Sequence, residues 1–197
     1  MGGPSASALL CAWTRSRHSP VRYRSESCRS GRLLWLPRYG LLVLLLQILL
    51  GGWTSTNYAA IGCIEFPTCH SGSWWPQMDF NQAFTLWHGT GINYEYGILS
   101  AEARTAIHMV HRIGALITAV YLIFLSIQLY RTGRSVITRQ LAWVLGILLI
   151  LQLGLGITNT VNHLPLPAAA AHNGIAVLLL LTLLTLNWQL KRAYRME

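Results

Sequence analysis

Acidic residues are scarce. The 197-residue chain holds six Asp and Glu against fifteen Lys and Arg, and only 11% of it is charged, where a soluble domain carries about a quarter. Residues 39–64 contain no charged side chain, residues 140–190 contain none, and Arg112 is the single Asp, Glu, Lys or Arg in 105–130. Runs of that length exclude an ordinary soluble domain and reach the ~20 apolar residues that cross a bilayer. No Ser-His-Asp grouping, phosphate-binding loop or pair of carboxylates within an apolar run is present, which removes the common hydrolase and nucleotide-binding readings.

What remains is apolar: 53% hydrophobic, with a mean hydropathy of +0.41. Four spans are expected, at about 39–58, 105–130, 141–162 and 166–189, with Pro165 and Pro167 dividing the last uncharged run. The fold class is therefore all-α, a polytopic membrane protein built as a four-helix bundle. The net charge of +9 does not indicate nucleic acid, because of where it lies. Seven arginines precede the first span, Arg131, Arg134 and Arg139 follow the second, and Lys191, Arg192 and Arg195 follow the fourth. The long loop 59–104 instead carries Glu65, Asp79, Glu95 and Glu102 with a single Arg104. The positive-inside rule then puts both termini and the 131–140 loop inside, and the long loop outside. Trp53, Trp143 and Trp188 fall near span ends, where interfacial aromatics sit.

Residues 1–38 read as a basic, disordered tail, residues 39–190 as the membrane domain, and residues 191–197 as a basic cytoplasmic tail. The Ser- and Arg-rich tail has the composition of a mitochondrial transit peptide; a plain cytoplasmic tail and a misplaced gene start fit the same composition. A repeat of helix pairs is visible within the domain. Gln47 and Gly51 in span one match Gln152 and Gly156 in span three, and spans two and four each carry a histidine followed by glycine, Gly114 and Gly174. Repeats related by an axis along the membrane normal are an established plan.

His111 lies six residues into the second span and His172 six residues into the fourth. At ~1.5 Å per residue both imidazoles come ~9 Å below one membrane face. An ionisable side chain at such depth costs several kcal/mol and marks a functional site. Two at one depth on parallel helices can clamp a metal from opposite sides, with a haem iron as the candidate; hydrogen bonding to neighbouring helices is the other reading. His108 is one turn from His111 on the same face, so the pair cannot flank one porphyrin. Arg112 either snorkels outward or meets a carboxylate such as a haem propionate. Cys63 and Cys69, in a loop facing an oxidising compartment, favour a disulfide, with a metal set of both cysteines and His70 as the alternative. Cys11 and Cys28 read as free thiols, and His70, His88 and His163 as solvated loop residues.

Several strings are distinctive together: Gly51-Gly52-Trp53-Thr54-Ser55-Thr56-Asn57-Tyr58, Cys63-Ile64-Glu65-Phe66-Pro67-Thr68-Cys69, Trp74-Trp75-Pro76, His108-Met109-Val110-His111-Arg112, and Leu164-Pro165-Leu166-Pro167 leading to His172-Asn173. Over about residues 38–192 the chain resembles the haem A synthase family, its bacterial members most closely; residues 1–38 match none of these motifs. The resemblance implies one four-helix half, similar to the C-terminal one, of an eight-helix pseudo-twofold architecture. It implies oxidation of the C8 methyl of haem O to the formyl of haem A, for cytochrome oxidase. It makes His111 and His172 the axial ligands of a b-type haem (haem b), an electron-transfer cofactor with Arg112 beside it, and makes Cys63–Cys69 a periplasmic disulfide. It implies the bacterial inner membrane, with the mitochondrial inner membrane as alternative, and cytochrome oxidase assembly factors as partners. One departure stands out. The Glu-x-x-His motif of the other half is replaced here by His108-x-x-His111, so catalytic residues stay unassigned. A second half-chain or a homodimer would have to complete the enzyme. The alternatives are a small bis-histidine b-type cytochrome without substrate chemistry and a haem-free membrane assembly protein.

Overall fold

The computed structural model describes residues 21–87, 89, 93, 97–133 and 135–195. The readings placed on residues 1–20, on His88, Glu95 and Arg134, and on the side chain of Cys28 lie outside the described residues. Five α-helices follow in order: α1 (Val21–Thr56), α2 (Phe80–Ala83), α3 (Ala101–Thr132), α4 (Val136–Val161) and α5 (Leu166–Arg195), with one 3-10 turn at Ala59–Ile61. Among the described residues there is no strand, only an isolated bridge between His70 and Ser73. Four helices are long and apolar enough to cross a membrane: Leu34–Thr56 within α1, Ala101–Thr132, Val136–Val161 and Leu166–Arg192. The all-α, four-span fold expected from the sequence is the one observed.

Helices α3 and α4 start earlier than hydropathy alone places them, because their caps are polar. The Ser100 side chain accepts from the Ala103 amide and Glu102 occupies the first turn of α3, where a negative charge favours the helix N-terminus. Ser135 caps α4 in the same way, accepting from the Ile137 amide. Helix α1 extends back to Val21, so residues 21–38, placed in the tail by composition, continue the first helix. Arginine is a good helix former, and lengthening a helix costs less than nucleating one. Pro37 lies inside α1 with its ring fully buried. There the Tyr121 hydroxyl of α3 donates to the Leu36 carbonyl at 2.8 Å and the Asn187 amide of α5 to the Pro37 carbonyl at 3.1 Å.

The four long helices form a closed ring, α1 against α3, α3 against α4, α4 against α5, and α5 back against α1. Two separate cores hold it. Leu44, Leu122, Leu125, Leu129, Leu145 and Leu183, with their buried neighbours, make an inner core around the 133–135 end of the bundle. Ala59, Ala83, Leu99, Ala103, Ala106 and Ile107 make a smaller one at the other end, where the long loop folds over α1 and α3. The Trp53 indole donates to the Ala83 carbonyl at 3.1 Å, tying α2 to α1.

Candidate functional site

Between the two cores lies a layer without a buried residue. Residues 45–53 of α1, 109–117 of α3, 150–159 of α4 and 166–178 of α5 are all half-buried or exposed. Nine residues of helix make that layer roughly 13 Å deep. The inner core, by contrast, is built of side chains almost wholly shielded from solvent, Leu122, Leu125, Leu129 and Leu145 among them.

Both membrane histidines sit in this layer, each set into the facing helix by the same device. His111 of α3 lies over Gly51 of α1: a Cβ added at Gly51 would come 3.3 Å from Cε1 of His111. His172 of α5 lies over Gly156 of α4, where an added Cβ would again be 3.3 Å from Cε1. One turn from each glycine is a glutamine. The Gln47 amide nitrogen is 3.0 Å from Nδ1 of His111 and donates to the His111 carbonyl at 3.1 Å. The Gln152 amide nitrogen is 3.2 Å from Nε2 of His172. The helix-pair repeat seen in the sequence is thus a repeated contact: glycine under the ring, glutamine beside it. Each histidine keeps one ring nitrogen that takes no protein partner. Four buried polar atoms lack a hydrogen-bond partner among the described residues: Oε1 of Gln47, Oε1 of Gln152, Oδ1 of Asn159 and Nδ1 of His172. Three of the four belong to these His–Gln pairs. Buried polar groups left unpaired are rare and costly.

His108, one turn above His111, is held differently. It is buried, and its Nδ1 lies 3.1 Å from the Ala59 carbonyl and 3.3 Å from the Cys63 amide. It fastens the outer loop to α3. Arg112 does the same from the next position. Its guanidinium reaches outward and donates to the Thr68 carbonyl at 2.9 Å and the Glu65 carbonyl at 2.7 Å, with the Phe66 ring 5.9 Å away. Cys63 and Cys69, which bracket these two carbonyls in sequence, are joined by a disulfide, Cα to Cα 4.5 Å, and both are buried. With both cysteines bonded, the metal set of Cys63, Cys69 and His70 does not form. Among the described residues no group of three or more His, Cys, Asp or Glu is placed to hold a metal ion. His70 is half-buried rather than solvated, its Nε2 2.7 Å from the Gly62 carbonyl, which also accepts from the Thr105 hydroxyl at 2.9 Å. The Glu65 carboxylate accepts from the Gly72 and Ser71 amides and the Thr68 hydroxyl, each at 3.0 Å. Those bonds, the Gly72 amide first, hold its pKa below the usual glutamate value.

Sequence reasoning noticed Gln47 and Gln152 only as repeat markers and did not attach them to the histidines. A signal was there: a polar side chain in each odd span, at the same offset from a glycine.

The pattern of the COX15-CtaA family, cytochrome oxidase assembly protein, matches residues 4–184. The chain belongs to that family. The match begins far before residue 38, so the basic segment lies inside it, beyond the stretch marked by the motifs. The chain is also 44% identical over 189 residues to the heme A synthase of Shewanella oneidensis, an alignment covering 95% of this chain and 56% of that protein. The chain therefore spans little more than half the length of that relative. No solved structure matches it.

Proposed function

We propose that this family member is the cofactor-bearing four-helix half of a haem A synthase, with His111 and His172 as axial ligands of a b-type haem. The observation that carries this reading is the layer without buried side chains, flanked by two imidazoles that each keep one nitrogen free of protein. Atoms without partners inside a membrane bundle call for a ligand, and an iron bound by nitrogen suits them. His111 and His172 would hold the haem, which would supply one-electron transfer there. In the whole enzyme that electron transfer serves oxidation of the C8 methyl of haem O to the formyl of haem A.

The chain's own residues have distinct tasks. Gly51 and Gly156 admit the rings to the helix surfaces. The inner leucine core fixes the spacing of α3 and α5. The disulfide loop and α2 close the outer end against water. Arg112 spends two of its five N–H donors on loop carbonyls, and we assign the rest to a haem propionate, for which guanidinium is a strong partner. The arginine distribution supports a bacterial inner-membrane protein with both termini inside. A partner half-chain or a second copy would supply the substrate site, and cytochrome oxidase assembly factors are the expected company.

One observation favours a second reading, a small b-type cytochrome without substrate chemistry. Residues 105–192 contain no Asp or Glu, so beyond the first turn of α3 none of the last three spans carries an acid for substrate chemistry. Spectra and turnover separate the readings. The purified chain should give a low-spin b-type reduced-minus-oxidised spectrum with about one haem per chain, lost in His111→Ala and His172→Ala but kept in His108→Ala. A chain without any haem signal would leave the haem-free assembly role. Given haem O, the 197-residue chain alone should form no haem A until a second four-helix half is added. Formation by the cytochrome-like chain alone would refute the need for that half, and absence of product even with the half present would favour the cytochrome.

A further inference from the structure

The Gln47 and Gln152 amides each present a nitrogen to an imidazole nitrogen, 3.0 Å from His111 and 3.2 Å from His172. In both pairs the amide oxygen is buried and has no partner. A glutamine amide can be reversed by a half-turn about its last bond, because its two ends have nearly the same shape. Reversal brings Oε1 to the ring, where it accepts an N–H and is no longer orphaned. At Gln152 nothing opposes the reversal, since its amide nitrogen makes no other bond among the described residues. At Gln47 the reversal also sets Oε1 toward the His111 carbonyl oxygen, to which the amide nitrogen now donates at 3.1 Å, so the side chain must turn away from that carbonyl while it keeps the ring.

Resting on the haem-ligation reading above, we infer that Gln47 and Gln152 are the positioning residues of the two ligands. Each accepts the N–H of the imidazole nitrogen it faces and leaves the opposite nitrogen bare for iron. Three independent features converge on this. The arrangement occurs twice, on α1 against α3 and on α4 against α5. The glycine one turn on from each glutamine holds the same ring at the same 3.3 Å approach, so ring and amide are fixed relative to each other. Finally, a histidine bound to a metal nearly always donates its other N–H to an acceptor, which fixes the tautomer and makes the ligand more basic. No carboxylate is available in residues 105–192 or 34–56 to take that role. The Asn159 amide oxygen, also buried, is hydrogen-bonded to neither ring.

The test uses the purified 197-residue chain loaded with haem b, comparing Gln47→Leu, Gln152→Leu and the corresponding glutamate variants. Leucine fills similar volume but accepts no hydrogen bond. Each leucine variant should keep a low-spin bis-histidine spectrum, bind haem about 10- to 100-fold more weakly, and shift the midpoint potential upward, because a less basic imidazole stabilises ferric iron less. Glutamate, a stronger acceptor, should move the potential downward. Opposite shifts from one position are a signature that loss of packing does not give. Leucine variants with the affinity and potential of the native chain overturn the inference, and so does weaker binding at an unmoved potential. If a glutamate variant does not reach the membrane, the sign of the leucine shift decides by itself. Failure of the inference is distinct from failure of the haem reading, because only the latter leaves haem bound in His111→Ala and His172→Ala.

Discussion

Replacing Gly51 or Gly156 with alanine sets helix propensity against the histidine beneath it. In a helix interior alanine is favoured over glycine by about 0.8–1.0 kcal/mol. The two neighbouring positions Gly52 and Gly154 have nothing within 4 Å of an added Cβ, so alanine there should deliver that gain in full. At Gly51 and Gly156 the added Cβ meets Cε1 of a histidine at 3.3 Å, and the ring must yield by a few tenths of an ångström. Overpacking of this kind costs about 1–3 kcal/mol, so in the haem-free chain the two effects partly cancel. Loaded with haem, the ring is held from both sides and cannot yield. A residual strain of about 1–2 kcal/mol then weakens haem binding roughly 5- to 30-fold. Haem titration followed by Soret absorbance, with thermal unfolding of the haem-free chains in the same detergent, measures both terms. Gly51→Ala and Gly156→Ala binding haem as tightly as Gly52→Ala and Gly154→Ala would refute the reasoning, and with it the placement of haem against these rings.

Arg112→Gln removes two charge-assisted bonds to loop carbonyls, each worth about 1.5–3 kcal/mol where well buried and less at this half-buried site. The disulfide loop should then exchange its amides faster without loss of membrane insertion. Glu65 offers a pH dependence of defined sign: with its pKa lowered by the Gly72 amide, the Thr68 hydroxyl and the Ser71 amide, it stabilises the loop above the ordinary glutamate pKa and loses that effect as pH falls through the lowered value. Protection of the Ser71 and Gly72 amides, corrected for intrinsic exchange, should persist at neutral pH and fall only in acid; Glu65→Gln should show the low protection at every pH. For topology, Ser71→Cys should label with an impermeant reagent on intact cells and Ser135→Cys should not, with Cys11 and Cys28 replaced and the bonded pair retained. The opposite result would invert the orientation.

Charge scarcity, with Pro165 and Pro167 dividing the last uncharged run, was enough to locate the four spans, because a bilayer penalises each charge by kilocalories and leaves uncharged runs as the trace. Their ends were less legible, since Ser100 and Ser135 extend the helices into polar sequence that hydropathy discards. The backward extension of α1 through Pro37 was not legible at all: the contacts that accommodate it come from Tyr121 and Asn187, some 85 and 150 residues away. At the site, His111 and His172 stood out because an imidazole in a membrane is expensive. Their glutamines did not, because a neutral amide carries no such penalty and gains meaning only from what faces it. For Arg112 the sequence left snorkelling and a carboxylate partner both open; its guanidinium bonds two backbone carbonyls, which have no sequence signature.

The bundle divides into an inner leucine core and a layer with no fully buried residue, which on the proposed function would separate folding from loading. The side chains that close the inner core, such as Leu122, Leu145 and Leu183, are not those that face the layer. On that function, the helices would insert and pair without the haem, because the buried side chains of the inner core are leucines and alanines alone, and the macrocycle would enter last, between helices already in place. A cell short of haem should accumulate this protein rather than degrade it.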